Sequence, residues 1–329
     1  MRDRNVLYDR AKGIGITLVV LGHLFTYGSY PFAVIFSFHM PLFFFVSGVL
    51  FNPTEGLKNM TIKIITRCLF PFVFFTVLGF LVKLIFFSGG VSFKVLIYET
   101  FWNIGADSIM MGALWFLGIL ALSFMALSCI INCRINKARY WLVFVVLSIL
   151  AVVAEKIPFA IPFRMKTLFA AILFVWLGYI LKDKILVFLK HKNVKYYFFL
   201  LGVIFLYISY LNKTVNIAIP VYNNFIFYLI SAFLGIFLTF VISQWRWLVF
   251  FDFFGKNSLY IFATHAIWIK VYTLIIGNIF NCHYEAMINI PYPLCIIGTI
   301  FVICLSIPTI YIVKPFYNLI YKRFTQLIF

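Results

Sequence analysis

Runs of about 20 apolar residues recur along the whole chain, and they restrict its fold more than any other feature. An α-helix of that length crosses the roughly 30 Å hydrocarbon core of a bilayer. Of the 329 residues, 64% are hydrophobic and 11% are charged, and no stretch between the runs is long enough for a separate soluble domain. We therefore predict an all-α, polytopic membrane helix bundle that forms a single domain over residues 1–329.

Hydropathy predicts about ten transmembrane helices, and eight spans with two re-entrant segments are the alternative count. With the N-terminus in the cytoplasm, ten spans place most of the 27 Lys and Arg residues on the cytoplasmic side and leave both termini there. The net charge of +18 is then a topology signal and a contact with anionic lipid, so we expect no nucleic-acid partner. The predicted spans are 11–27, 32–51, 65–87, 109–131, 140–154, 165–181, 196–211, 222–243, 258–277 and 292–311.

The first two spans carry one histidine each, His23 and His39. At the helical rise, His23 lies roughly 16 Å from the Lys12 end of its span, and His39 lies about 12 Å from the far side of the next. Both imidazoles are therefore expected near the middle of the membrane on adjacent antiparallel helices. Ionisable groups at that depth are costly and usually functional. A desolvated histidine stays neutral, as a general base requires.

The second span contains a proline, Pro41, which removes a hydrogen bond from the helical ladder. Irregular backbone inside a membrane is tolerated where it lines a cavity, so we predict a pocket beside His39. Ser47 shares roughly the helix face of His39 and is a weaker candidate for the same pocket.

Basic residues precede the first and third spans on the predicted cytoplasmic side. Fixed cations there suit a phosphate-rich ligand, although a single Lys or Arg also serves as an anchor to lipid headgroups. Asp9 is expected to pair with Lys12 or Arg10 and to position them. The cations predicted to bind the ligand are Arg10, Lys12, Lys63 and Arg67.

Three candidates belong to the outward side. Trp115 is either an interfacial anchor or a wall for a sugar ring, and Glu99 and Asp107 are outward acids that would hold hydroxyls of an acceptor. His265 is a third intramembrane histidine, which alone is more often structural. The six cysteines show no disulfide or metal pattern, and we predict no metal site.

Several of these segments resemble motifs of the acyltransferase-3 family of integral-membrane acyltransferases, and in particular its fucose 4-O-acetylase-like branch. YDRAKGIGITLVVLGH resembles the first-helix motif, in which ten residues separate a basic residue from a histidine, here Lys12 and His23. The second-helix motif is matched by FSFHMPLFFFVSG, and KIITRCLFPFVFF, LWFLGILAL and GKNSLYIFATH resemble later family segments. Many members carry arginine where this chain has Lys12.

The resemblance implies a bacterial inner-membrane enzyme that takes an acetyl group from cytoplasmic acetyl-CoA, its co-substrate. The acceptor would be a sugar hydroxyl of a cell-surface polysaccharide such as O-antigen or capsule, or of a lipid-linked glycan. His23 is the implied catalytic histidine, acting as general base or as acyl carrier, with His39 assisting. Two alternatives remain open on residues alone: a transporter or flippase with a histidine proton relay, and a membrane scaffold.

Overall fold

In a computed structural model of the chain, the structure describes residues 6–53, 57–86, 92, 94, 97–98, 100, 102, 112–159, 161–189, 194–280 and 290–328. These residues form helices, and their sole β-type pairing is a bridge between Asn216 and Val221. Short 3₁₀ turns precede α6, α7, α8 and α11, and a π-helical turn at Ile65–Leu69 joins α4 to α5. The helices are α1 Val6–Leu24, α2 Tyr30–Phe36, α3 His39–Val49, α4 Leu57–Ile64, α5 Phe70–Phe86, α6 Trp115–Asn132, α7 Tyr140–Lys156, α8 Met165–Leu189, α9 Val194–Asn212, α10 Phe225–Ile242, α11 Phe251–Lys256, α12 Ser258–Ile279 and α13 Tyr292–Ile328.

Eight helical segments in the described part of the chain are long and apolar enough to cross a membrane. The remaining predicted spans correspond to α1, which carries Asp9, Arg10 and Lys12, and to α9, a shorter apolar helix. The multi-pass, all-helical architecture is confirmed, and the count of ten spans stays a prediction. The eight segments are Tyr30–Val49, Lys58–Phe86, Trp115–Asn132, Lys137–Lys156, Pro162–Ile185, Phe225–Ile242, Ser258–Ile279 and Tyr292–Leu327.

The first hairpin, which consists of α1 and the α2–α3 segment, lies at the centre of the bundle. In the segment Tyr30–Val49, 89% of the apolar stretch is buried inside the protein. In Lys137–Lys156 the buried share is 17%. Helix α1 likewise buries residues on every side, including the charged Asp9 and Arg10. A helix that is apolar all round and buried belongs to the interior, and one that is apolar and exposed is covered by lipid. The peripheral helices therefore face the membrane and enclose the hairpin.

Two reciprocal glycine contacts bring the central helices close to their neighbours. A Cβ on Gly13 would lie 2.0 Å from the carbonyl oxygen of Phe251, and a Cβ on Gly255 would lie 1.6 Å from that of Asp9. These contacts join α1 to α11. Helices α3 and α8 meet in the same way through Gly48 and Gly178. Small residues let helix backbones approach closely in membranes, where apolar burial gives little drive for association.

The second predicted span is interrupted, and the interruption lies on the N-terminal side of Pro41. Helix α2 ends at Phe36, Phe38 adopts a non-helical conformation (φ −139°, ψ −20°), and α3 begins at His39. Pro41 thus occupies the first turn of α3, where its missing N–H costs no helical hydrogen bond. The sequence predicted a break in this span, and the structure places it directly before His39.

The glycine contacts generate a prediction about stability. Gly178→Ala would place a methyl group about 2.0 Å from the carbonyl oxygen of Phe45, so α3 and α8 would have to separate. We expect a clear loss of thermal stability, measured by fluorescence-detected size exclusion of the heated, detergent-solubilised protein.

Gly202→Ala is the matched control, because nothing lies within 4 Å of a Cβ at that helical position. This variant should melt at or slightly above the wild-type temperature, since alanine favours a helix by roughly 0.5–1 kcal/mol over glycine. Equal melting temperatures for the two variants would contradict the packing described here.

Candidate functional site

A cavity of about 500 Å³ opens at the end of the bundle where α1 finishes. Its inner walls come from α1, the α2–α3 segment and α12, and its rim comes from the Gly112–Leu114 turn, the Pro162–Arg164 turn and the loop 213–224. Those three connections each begin a helix that returns toward the side of the N-terminus. The cavity therefore faces the side opposite to the N-terminus, and its volume is that of a small-molecule site, roughly 300–1,000 Å³.

His23 and His265 meet on the inner wall of this cavity. The centroids of their rings are 5.2 Å apart, with an angle of 74° between the planes. His23 belongs to the last turn of α1, and His265, which is 1% exposed, lies in the first half of α12. The two rings are therefore in direct, T-shaped contact.

His39 lines the same cavity at the start of α3 and is 2% exposed. The ring of Phe36 lies against both hairpin histidines, 4.6 Å from the centroid of His39 and 5.8 Å from that of His23. The structure thus brings the two sequence-predicted histidines to one pocket. At the break before α3, the Ile35 carbonyl accepts a hydrogen bond from Nδ1 of His39.

All three imidazoles are held in the same way. Nδ1 of His23 lies 2.8 Å from the carbonyl oxygen of Val19, and Nδ1 of His39 lies 2.8 Å from that of Ile35. For His265 the corresponding distance to the carbonyl of Phe262 is 2.7 Å. A carbonyl oxygen only accepts, so each Nδ1 carries the proton and each neutral ring has its lone pair on Nε2. Nε2 is the atom that a general base or a nucleophile would use.

Trp115 forms part of the rim, as its prediction as a sugar wall requires. The guanidinium carbon of Arg164 lies 5.8 Å from the centre of the indole ring, within the range of a cation–π contact. Nη1 of Arg164 also donates to the carbonyl oxygen of Ala218 at 2.9 Å. Phe163 and Arg164 have positive φ values of 56° and 48°, which are costly for residues other than glycine and cluster at functional sites.

The loop 213–224 is pinned to the ends of α7 and α8. The Thr167 hydroxyl donates to the carbonyl of Ile217 at 3.0 Å, and the backbone N–H of Tyr222 donates to the Glu155 carboxylate at 2.8 Å. The bridge between Asn216 and Val221 closes the loop on itself. This part of the cavity rim is therefore held in place by hydrogen bonds.

Several residues that line the cavity had no role predicted from the sequence. Arg164 and Lys270 both line the cavity, and so does Asn216. The signal for α12 was available, because Phe262, His265 and Ile269 recur at spacings of three and four on one helix face. No comparable signal marks Arg164 or Asn216, which reach the cavity from connections.

Arg10 is engaged within the protein. Its Nε and Nη2 donate to the two carboxylate oxygens of Asp252 at 2.8 and 3.1 Å, and Nη1 donates to the carbonyls of Ser243 at 2.9 Å and Trp245 at 3.2 Å. The side chain is largely buried, with 11% of its surface exposed. This bidentate pair fastens α1 to α11.

The two partners of the Arg10 contact have the same separation in sequence as His23 and His265. Arg10 and Asp252 are 242 positions apart, and the same interval separates His23 from His265. Helix α1 and the α11–α12 segment therefore run parallel, as the predicted first and ninth spans would.

The other predicted cations lie on the side of the N-terminus. The Lys12 ammonium pairs with the Asp9 carboxylate at 2.8 Å, so the expected Asp9 pair is formed with Lys12. Lys63 is half-buried in the last turn of α4, and Arg67 is exposed in the π-helical turn that packs on α6. π-Helical turns are rare and frequent at functional sites.

The remaining predicted residues lie elsewhere. The Ser47 hydroxyl donates to the Phe43 carbonyl of its own helix at 2.7 Å, and Ser47 is not among the residues that line the cavity. Glu99 and Asp107 lie outside the described residues. Within the described part of the chain, no group of three or more His, Cys, Asp or Glu side chains has a geometry that would hold a metal ion.

Comparison with known proteins identifies the family. The acyltransferase-3 family model, described as "Acyltransferase domain", matches residues 5–311. The chain belongs to the acyltransferase-3 family. Nodulation protein NolL of Mesorhizobium japonicum is 29% identical over 154 residues, which cover 43% of this chain and 39% of that relative. No solved structure shows a significant match.

Membership of this acyltransferase family supports an acyltransferase activity for the membrane bundle, and it does not favour the transporter alternative. The sequence resemblance at the family level is thereby confirmed. The fucose 4-O-acetylase-like branch stays a prediction.

The Arg10 contacts generate a prediction. Arg10→Ala would leave the largely buried Asp252 carboxylate without its partner, which costs about 3 kcal/mol or more in such pairs. We expect a lower melting temperature of the purified protein, and a smaller effect of the same change in an Asp252→Asn background, because the interaction is then already lost. If Arg10→Ala keeps the wild-type melting temperature and only raises the acetyl-CoA requirement, Arg10 binds the donor instead.

Proposed function

We propose that this acyltransferase-3 protein is an O-acetyltransferase. It moves an acetyl group from cytoplasmic acetyl-CoA to a sugar hydroxyl of a cell-surface polysaccharide, O-antigen, capsule or lipid-linked glycan. The observation that carries the proposal is the meeting of His23, His39 and His265 on one cavity, which faces away from the side of the N-terminus and has a tryptophan in its rim. The protein would lie in the bacterial inner membrane with both termini in the cytoplasm.

His23 acts as the general base in this proposal. Its Nδ1–H is held by Val19, so Nε2 accepts the proton of the acceptor hydroxyl while the oxygen attacks the thioester carbonyl carbon. The C–S bond of the tetrahedral intermediate then breaks, and the departing thiolate of coenzyme A takes up the proton that His23 received from the acceptor. The products are the sugar ester and free coenzyme A.

The start of α3 supplies the developing oxyanion with hydrogen bonds. The first N–H groups of a helix have no acceptor within the helix, and in α3 these belong to His39 and Met40. Both residues line the cavity. Preorganised backbone donors of this kind stabilise tetrahedral intermediates of acyl transfer. His39 would thus contribute through its position at the helix start as well as through its ring.

The donor reaches His23 from the opposite side. Lys12 lies eleven residues before His23 on the same helix, about 16 Å along its axis. We propose that Lys12, Lys63 and Arg67 hold the phosphates of acetyl-CoA, with the pantetheine arm extending along α1 toward the histidines. The acceptor enters from the rim, where Trp115 offers an aromatic face to a sugar ring.

The function is tested by replacing the proposed base. His23→Ala should reduce acetylated glycan per mole of inserted protein by about 10²-fold or more, the usual cost of losing a general base. The readout is mass spectrometry of surface polysaccharide from cells that carry each variant. His191→Ala and His283→Ala, in predicted loops outside the described residues, are the controls and should behave as wild type. Near-normal acetylation by His23→Ala would refute the proposed function.

The donor site is tested by kinetics. Single alanine substitutions of Lys12, Lys63 and Arg67 should raise the KM for acetyl-CoA with little change in kcat, because they remove binding that is equal in the ground and transition states. Lys322→Ala, an exposed cation near the C-terminus of α13, should leave KM unchanged. If all three substitutions left KM at the wild-type value, these cations would be lipid anchors.

A further inference from the structure

We propose that His265 is the proton partner of His23, so that the acceptor proton is shared between two imidazoles during acetyl transfer. This inference rests on the proposed function and adds a positioning residue to it. The first observation is the T-shaped contact of the two rings, with centroids 5.2 Å apart and planes at 74°. His265 is contributed by α12, far from the hairpin in sequence.

The hydrogen bonds of the two rings determine which atoms are available for sharing. The Nδ1 of His23 is held by the Val19 carbonyl, and the Nδ1 of His265 is held by the Phe262 carbonyl. In the neutral rings both lone pairs are therefore on Nε2, and both residues line the cavity. When one Nε2 gains a proton, the other is able to accept a hydrogen bond from it.

A general base needs something to stabilise the charge that it acquires. In hydrolases with a catalytic histidine, a carboxylate both orients the imidazole and stabilises the imidazolium. Here the Val19 carbonyl orients His23, and the Nε2 of His265 accepts a hydrogen bond from the imidazolium. The two roles of one carboxylate are thus divided between a backbone group and a second histidine.

The proton balance of the step is complete without a further reactant. The acceptor hydroxyl gives its proton to Nε2 of His23 as the new C–O bond forms. The proton is then shared between His23 and His265 while the tetrahedral intermediate exists. When the C–S bond breaks, the thiolate of coenzyme A takes that proton, and both imidazoles return to the neutral state.

Two substitutions separate this role from a structural one. His265→Asn retains an N–H that is able to donate to the Phe262 carbonyl, but it has no atom at the position of Nε2. His265→Gln places an amide oxygen near that position, where it accepts a hydrogen bond from the His23 imidazolium without taking the proton. A purely structural role of the Nδ1 bond would be preserved best in the Asn variant, whereas the proton-partner role would be preserved best in the Gln variant.

The experiment measures release of the thiol of coenzyme A from acetyl-CoA by the purified protein in lipid nanodiscs, with water or methyl glycosides as acceptors. We expect His265→Asn to lower kcat by about 10- to 100-fold, similar to the loss of an outer-shell partner, with KM for acetyl-CoA within twofold of wild type. The Gln variant should retain more of the kcat than the Asn variant. Melting temperatures of both variants report separately on folding.

The outcomes distinguish this inference from the function on which it rests. If His23→Ala is inactive but His265→Asn keeps wild-type kcat, the proton-partner role is wrong and the acetyltransferase proposal stands. A higher kcat for Asn than for Gln, or a loss explained by the melting temperature, also overturns the role. If His23→Ala matches wild type, or wild type releases no coenzyme A thiol with any acceptor, the proposed function itself fails, and this inference with it.

Discussion

The parallel packing of α1 against α11 and α12 is the constraint on which the rest of the site depends. The ion pair of Arg10 with Asp252 and the close approach at Gly13 and Gly255 set the register at one end. Thirteen residues further along both segments, about 20 Å at the helical rise, that register brings His23 to His265. A shift by one residue would rotate an imidazole by about 100° away from its partner. The site proposed for the chemistry at one end of the bundle is therefore aligned by an electrostatic contact near the other end.

Polar groups inside a membrane have to find partners within the protein. Here that requirement determines which nitrogen of each histidine is bonded within its own segment. Each imidazole satisfies its Nδ1 with a carbonyl of its own helical segment. Because these bonds form within one segment, no second helix is needed to satisfy Nδ1. The direction of Nε2 then depends only on the position of the histidine on its helix. The bundle then only has to bring three helix faces to one cavity.

Local sequence information was sufficient where the determining interactions are local. Apolar length predicted the helical bundle, and the spacing of His23 and His39 around a short turn predicted their meeting. Pro41 predicted a break in the second span. The break lies before His39, where the Phe38 backbone leaves the helical conformation and the His39 ring donates to the Ile35 carbonyl. These features follow from bonds within about four residues.

The remaining features depend on contacts between distant parts of the chain. The pairing of Arg10 with Asp252 could not be predicted, because a charge in a sequence carries no information about a carboxylate 242 positions away. The role of Arg10 toward a phosphate ligand stays a prediction. His265 was considered alone and so interpreted as structural, because its neighbour His23 belongs to another helix. No role of its own was predicted for Arg164 from the sequence, and only the tertiary structure shows it over Trp115.

The inner wall and the rim of the cavity are held by different kinds of contact, and this affects how such proteins diverge. Two of the helices in its inner wall, α1 and α3, pack backbone to backbone against α11 and α8 through glycines, where almost any side chain would clash. Its rim belongs to the Pro162–Arg164 turn, the loop 213–224 and the start of α6, which are tied by a few hydrogen bonds. Substitutions and insertions in the rim leave the helix contacts intact. Descendants of one ancestral chain could thus exchange the molecule they recognise at the membrane surface while inheriting an unaltered reaction centre beneath it.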